Sequence, residues 1–304
     1  MKRAASKVKK IFLRSSLMFN RFYFKASCLS FTVFYFSERK YMSPEPFFIH
    51  LAGSWFPPQV QINYQAIEYV LPDDFVRRAA AFWERLLAEG QRRIFNGALC
   101  RLESFREHDG FLHLALSRTC YRDLMFSNAH AEELINNFGE SGPARALGIS
   151  AIIETVDGYL PLIRRSAHVG EAPGGLDVIG GHVHPDEHMR NDAPEVFLAI
   201  KDEIQSELGI PADRLDHIVC CGVAENRRHR KPELAFFVPL PLTMQEVQRL
   251  AKTAREAEEY AELFAVRAER AALQEFVAAN HADLTPAALG CFHLYAGIKN
   301  WPLE

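Results

Sequence analysis

The chain has 304 residues, 48% of them hydrophobic and 12% aromatic, which is enough apolar material for one large core or two modest ones. Its formal net charge of −3 argues against a nucleic-acid binder, which would show a basic face. None of the six cysteines stands in a Cys-x-x-Cys pair, and the adjacent Cys220-Cys221 lie in an apolar run, so they read as buried strand residues of a reducing, cytoplasmic compartment. From Met1 to Ser37 there is no acid, whereas Lys2, Arg3, Lys7, Lys9, Lys10, Arg14, Arg21 and Lys25 are basic. A targeting leader would explain such a stretch, yet no small-residue cleavage site stands out. The apolar run Cys28 to Phe36 is also too short to span a bilayer. Normal composition opens at Met42, so residues 1–41 read as a basic extension or a spurious upstream start.

Further along, Asp73 to Gly90 carries Phe75, Ala79, Phe82 and Leu86 on one helical face and ends on glycine. Alternating runs at Ala98 to Ser104 and Phe111 to Leu116 flank Asp109-Gly110, a hairpin signal. The same pattern at Ile149 to Thr155 and Tyr159 to Ile163, across Asp157-Gly158, predicts a second hairpin. His217 to Val223 and Leu234 to Val238 read as strands, followed by a helix through Met244 to Tyr260 and a strand at Leu263 to Val266. Together these predict an α+β fold with a mixed sheet between helices.

Between the strands lies the stretch with most chemistry in it. Phe197, Ile200, Ile204 and Leu208 recur at three- and four-residue spacing, predicting a helix from about Ala193 to Leu208. Asp192 suits its N-cap, Pro194 its first turn, Glu195 a capping box and Gly209 its stop. Glu203 and Glu207 stand one turn apart on this helix, off the apolar stripe. Two like charges held so close repel unless a cation joins them, and a pair of hard oxygen ligands suits magnesium. An isolated Glu-x-x-x-Glu is more often a solvated acidic face. His182, His184 and His188, beside Asp186 and Glu187, leave a zinc site conceivable as well.

These residues resemble the signature of the Nudix hydrolase family, Gly-x5-Glu-x7-Arg-Glu-apolar-x-Glu-Glu-x-Gly-apolar. Gly181-x5-Glu187 matches its first half, and Glu203-Ile204, Glu207 and Gly209-Ile210 match its second. Asp202 stands in place of the arginine, Ser206 in place of one glutamate, and the gap between Glu187 and Asp202 is longer than usual. Doubling a flexible loop costs only about 0.6 kcal/mol. Glu195, rather than Glu187, remains open as the upstream glutamate. A narrower resemblance, to the UDP-glucose pyrophosphatase branch, spans most of the chain from about residue 50. It rests on Arg164-Arg165-Ser166, Val169 to Gly174, Leu176-Asp177-Val178, Gly180-Gly181-His182 and Gly222 to Asn226.

The resemblance implies a Nudix α/β/α sandwich over 147–304, with the N-terminal α+β region 42–146 contributing to the substrate pocket. It further implies Mg2+-dependent hydrolysis of UDP-glucose or UDP-galactose to UMP and a sugar 1-phosphate. Glu203 and Glu207 become the catalytic metal ligands, with the Gly181 carbonyl as a backbone ligand. Phe95 and Tyr121 take the uridine end, since flat rings stack on a base. Arg165 meets a phosphate with its planar fork. Gly170, Asp177, His182 and His184 complete the substrate contacts, although His184 falls where that branch has an acid. Glu203 or an acid outside the box, such as Glu225, would accept the proton of the attacking water. No nucleic-acid or membrane partner is expected, and the oligomeric state is open. The altered box also leaves room for a weak enzyme that senses nucleotide sugars, or for another nucleoside diphosphate substrate such as an ADP-sugar.

Overall fold

The computed structural model describes residues 45–90 and 94–301. The basic extension at 1–41 lies outside the described residues. In chain order the elements are β1 (Phe47–Trp55), β2 (Val60–Glu68), α1 (Asp73–Glu89), β3 (Ala98–His108), β4 (Phe111–Cys120), α2 (Tyr121–Phe138) and β5 (Gly148–Thr155). There follow β6 (Tyr159–Arg165), β7 (Leu176–Asp177), β8 (Ile179–His182), β9 (Met189–Arg190), β10 (Ala193–Pro194) and α3 (Val196–Leu208). The chain continues through β11 (Val219–Asn226), β12 (Pro232–Leu240), α4 (Met244–Ala251), β13 (Tyr260–Arg267), α5 (Arg270–Asn280) and α6 (Pro286–Ile298).

Five strands form the central mixed sheet in the order β1-β11-β12-β5-β8. Only the β12–β5 pairing in it is parallel. Strand alternation sends neighbouring residues to opposite faces. Ile149, Ala151 and Ile153 of β5, with Leu234, Phe236 and Val238 of β12, join Phe197, Ile200 and Ile204 of α3 in one core. Ile152 and Ala235 join Phe292, Leu294 and Tyr295 of α6 in another. The sheet is therefore sandwiched between α3 and α6, the α+β architecture expected from the sequence.

The N-terminal sheet, β2-β4-β3, holds the expected hairpin, with Asp109 and Gly110 both at positive φ in its turn. β1, which precedes it in sequence, instead pairs with β11 and extends the central sheet.

Three expectations change. The run at Ile149 to Thr155 and the run at Tyr159 to Ile163 are joined by a tight turn but do not pair: β5 enters the central sheet, whereas β6 pairs with β13 and β7. The acidic helix starts at Val196, and its N-cap is Glu195, whose side chain accepts from the Phe197 N–H. Asn191 and Asp192 take positive φ, and Ala193–Pro194 pairs back onto Met189–Arg190, so the chain turns before the helix begins. The helix predicted through Tyr260 ends at Ala251 and is followed by a 3-10 turn, Ala257–Glu259, because the Glu256 N–H is drawn to the Ser206 carbonyl at the end of α3.

Candidate active site

α3 is fixed by its apolar face, where Ile200, Ile204 and Leu208 are fully buried. That packing turns Glu203 towards β8, with Glu207 one turn further along the helix. The fit to β8 is close: a Cβ on Gly181 would collide with the Glu203 carboxyl, so only glycine leaves room for it. The His182 N–H points at Glu203 Oε1 from 3.3 Å. Glu207 is 2% exposed and its Oε2 has no hydrogen-bond partner. Burial pushes Glu203 up to about 8, with the charge of Glu256 adding to it. Burial likewise raises Glu207 well above the usual carboxylate range, and Glu203 adds to that. An acid pair made this costly by desolvation and mutual repulsion is a strong demand for a cation.

Arg165, at the end of β6, stands between this pair and the loop between β6 and β7. Its Nε donates to the Glu171 carbonyl at 3.0 Å and its Nη1 to Asp177 Oδ2 at 3.4 Å. Burial works against its charge, but Asp177, Glu171 and Glu207 outweigh that and keep it cationic. Asp177 is held by Thr285 Oγ1 at 2.7 Å and by the Val178 N–H at 3.0 Å.

A cavity of about 900 Å³ opens over these groups, and Phe95, Tyr121, Arg165, Gly170, Asp177, Gly181, His182, His184 and Glu203 all lie on its wall. Its size is that of a small-molecule pocket. Phe95 is 72% exposed, which marks the mouth. Tyr121 meets the His182 ring edge-on, with centroids 6.2 Å apart. At Gly170 a Cβ would strike the Tyr121 hydroxyl, so the loop comes in there as bare backbone. Burial lowers His182 to about 4, with Lys231 adding to the effect, and the ring is neutral near pH 7. Glu207 lies just behind the wall rather than on it.

The remaining sequence candidates are sorted by the fold. Glu187 is on the cavity wall, whereas Glu195 is engaged as the α3 N-cap. Glu225 is pinned by Arg145 Nη1 at 3.2 Å and Arg230 Nη1 at 3.0 Å. Burial raises it, but His50 and the two arginines overcome this and hold it below the usual range, which makes it a poor proton acceptor. The three loop imidazoles do not share one point: the His184 and His188 rings meet edge-on with centroids 5.6 Å apart and His188 Nδ1 accepts from the His184 N–H at 3.0 Å, while the His182 Nε2 faces Glu171 at 3.2 Å. Among the described residues no three His, Cys, Asp or Glu side chains are gathered as ready metal ligands.

Two groups escaped the sequence reading. Glu171 is a hub, its carboxylate meeting Asn128 Nδ2 at 3.0 Å and Lys231 Nζ at 3.2 Å as well as His182. Burial would raise it, but Lys231, His182 and Arg165 drive it well below the usual range. Lys231 and Glu233 also lie on the wall. Their signal was the pair of charges two residues apart at the start of an otherwise apolar strand.

No family model matches the chain. It is 30% identical over 244 residues to the uridine diphosphate glucose pyrophosphatase NUDT22 of Mus musculus, covering 71% of this chain and 78% of that one. The human protein of the same name is 28% identical over 250 residues, covering 73% and 82%. Nudix hydrolase 9 of Arabidopsis thaliana is 26% identical over 248 residues, covering 69% and 78%. The chain belongs to the Nudix hydrolase family, whose members generally use a divalent metal. The Glu203 and Glu207 carboxylates are hard oxygen donors, and the buried Glu207 Oε2 has no partner, which fits such an ion.

Proposed function

We propose that the chain hydrolyses the diphosphate bridge of UDP-sugars, UDP-glucose and UDP-galactose among them, to UMP and a sugar 1-phosphate, with Mg2+ as its metal. The observation that carries this reading is the unpartnered Glu207 oxygen, buried beside Glu203 and facing the field of Arg165. Glu203, Glu207 and the Gly181 carbonyl would hold the ion. Bound there, it would cancel charge on the diphosphate and stabilise the charge that builds up as water adds to phosphorus. The uridine diphosphate glucose named in the relatives supports the choice of substrate.

The chain's own residues supply the rest. Arg165 offers planar donors to phosphate oxygens, and its ties to the Glu171 carbonyl and Asp177 keep that fork oriented before substrate arrives. Phe95 and Tyr121 provide ring faces for the uracil. Asp177, His182, His184 and the Gly170 backbone supply polar contacts around it. Glu203 takes the proton of the attacking water as the new P–O bond forms, the bridging P–O bond breaks, and the other phosphate leaves with the bridging oxygen. A reducing, cytoplasmic setting agrees with the free thiols of Cys100, Cys120, Cys220, Cys221 and Cys291. Among the described residues no helix is long and apolar enough to cross a membrane.

The test is release of UMP from UDP-glucose by the purified chain with Mg2+ and with chelator, beside ADP-ribose and a Glu207→Gln control. Turnover that needs the metal and prefers the uridine substrate is the expected result. Saturable UDP-glucose binding without UMP release would replace the hydrolase with a sensor of nucleotide sugars.

A further inference from the structure

A largely buried part of the cavity wall carries charges that neither the acid pair nor the phosphate contact uses. Lys231 Nζ lies 3.2 Å from Glu171 Oε2 and 3.8 Å from Glu233 Oε2. Glu233 is 5% exposed and its Oε1 accepts from Ser150 Oγ at 2.6 Å. On the same wall Asp177 is held by Thr285. Resting on the UDP-sugar reading above, we infer that this closed end is the subsite for the hydroxyls of the sugar, and that Lys231 and Glu233 determine which sugar is accepted.

Three observations carry it. First, hydrogen-bonding capacity is left over on both signs of charge. An ammonium has three donors, and Lys231 spends one of them on Glu171. At 3.8 Å the contact with Glu233 Oε2 is too long for a hydrogen bond, so that oxygen keeps its lone pairs. A sugar hydroxyl both donates and accepts, so neighbouring hydroxyls match a wall on which ammonium and carboxylate stand side by side. Second, the arrangement is built rather than incidental. A Cβ on Gly148 would run into the Glu233 carboxyl, so that side chain occupies space that only a glycine in the adjoining strand leaves open. Burying a glutamate in a strand, with a lysine just ahead of it, costs more than apolar residues of the same volume would, and their presence calls for a use. Third, the closed end offers no ring. Ser150, Glu171, Asp177, Lys231, Glu233 and Thr285 provide no aromatic face for a base, whereas Phe95 and Tyr121 provide one elsewhere on the same wall. The base therefore belongs with the rings and the sugar with the hydroxyl-reading end.

The experiment measures binding where the diphosphate survives, in the Glu207→Gln background, with Glu233→Gln and Lys231→Met added singly. Calorimetry with UDP-glucose, UDP and UMP gives the affinities. In parallel, kcat/KM for UDP-glucose and UDP-galactose is measured with Glu207 intact. Each added substitution is expected to weaken UDP-glucose at least tenfold, to change UDP and UMP less than twofold, and to shift the glucose-to-galactose ratio of kcat/KM at least fivefold. Ser150→Ala, which releases Glu233 without removing a charge, guards against misfolding of the other two and should move the same quantities in the same direction by less. Equal weakening of UMP would mean that the closed end takes uridine, and unchanged UDP-glucose affinity would mean that the pair only supports the fold. Either result overturns the subsite. A starting protein that neither binds UMP nor releases it would instead sink the UDP-sugar reading itself.

Discussion

Replacing Glu207 by glutamine should do two opposite things, and the size of each follows from its burial. Glu203 titrates near 8 in the folded chain against an ordinary value of 4.5. At about 1.4 kcal/mol per pH unit, that gap opposes folding of the metal-free protein by on the order of 5 kcal/mol at alkaline pH. The sign is that of an acid raised by folding: the protein is most stable below the ordinary pKa and loses stability as pH climbs from about 4.5 towards 8. Glu207 adds a second buried charge of the same kind, and glutamine in its place removes both that desolvation and the repulsion on its neighbour. Metal-free Glu207→Gln should therefore melt several degrees above the unaltered chain at pH 8, at about 2–4 °C per kcal/mol for a chain of this size, and close to it at pH 5. Turnover should fall at least a hundredfold, about 2.7 kcal/mol of barrier. Mg2+ should raise the melting point of the unaltered chain and barely move the variant. Calorimetric scans from pH 5 to 8, with chelator and with Mg2+, give all three quantities. A variant less stable than its parent at pH 8, or one with near-normal turnover, would refute the reasoning.

Arg165→Lys keeps the charge but loses the planar fork, so KM for UDP-glucose should rise about tenfold while circular dichroism stays unchanged. Gly181→Ala sets a methyl group against the Glu203 carboxyl and should cut turnover at least a hundredfold in steady-state assays, with the displaced acid also weakening metal binding by calorimetry. Glu225→Gln breaks the buried contacts with Arg145 and Arg230 and should cost about 3 kcal/mol in urea unfolding, while turnover per folded molecule holds within a few-fold. A large loss of turnover in that variant would return Glu225 to the list of proton acceptors.

The acidic helix was legible because its stripe of Phe197, Ile200, Ile204 and Leu208 is a local pattern, and so was its glycine stop, which takes φ 66. Its start was not, since the left-handed Asn191 and Asp192 are chosen by a backbone ribbon that no periodicity announces. The turn at Asp157-Gly158 was equally legible, but not that its two strands part into different sheets, because pairing of β5 with β12 and of β6 with β13 is a long-range choice. In the candidate site the same division holds. Glu203, Glu207 and Gly181 followed from short spacings, whereas Glu171 and Lys231 are 60 residues apart and meet only once the sheet has formed.

Asp202 and Ser206, where the box departs from its family, form a helical row of their own beside the glutamates. Ser206 Oγ donates to the Asp202 carbonyl at 2.7 Å, so the hydroxyl is consumed within the helix. Asp202 looks outward to Arg255, 3.7 Å away. The Ser206 carbonyl accepts from Glu256, and that bond brings the turn carrying Glu256 and Glu259 against α3, where both charges help to raise Glu203. Negative charge that the box lost at position 206 is thus supplied from another element. Restoring a box glutamate with Ser206→Glu should accordingly harm the protein. The site is 3% exposed, and a further carboxylate there would be desolvated beside Glu203, Glu207 and the Glu256 turn. The expected outcome is a loss of a few kcal/mol in chemical unfolding at pH 8 with no gain in UMP release; a variant that turns over faster than its parent would show that the missing glutamate, and not the rearranged acids, limits the reaction.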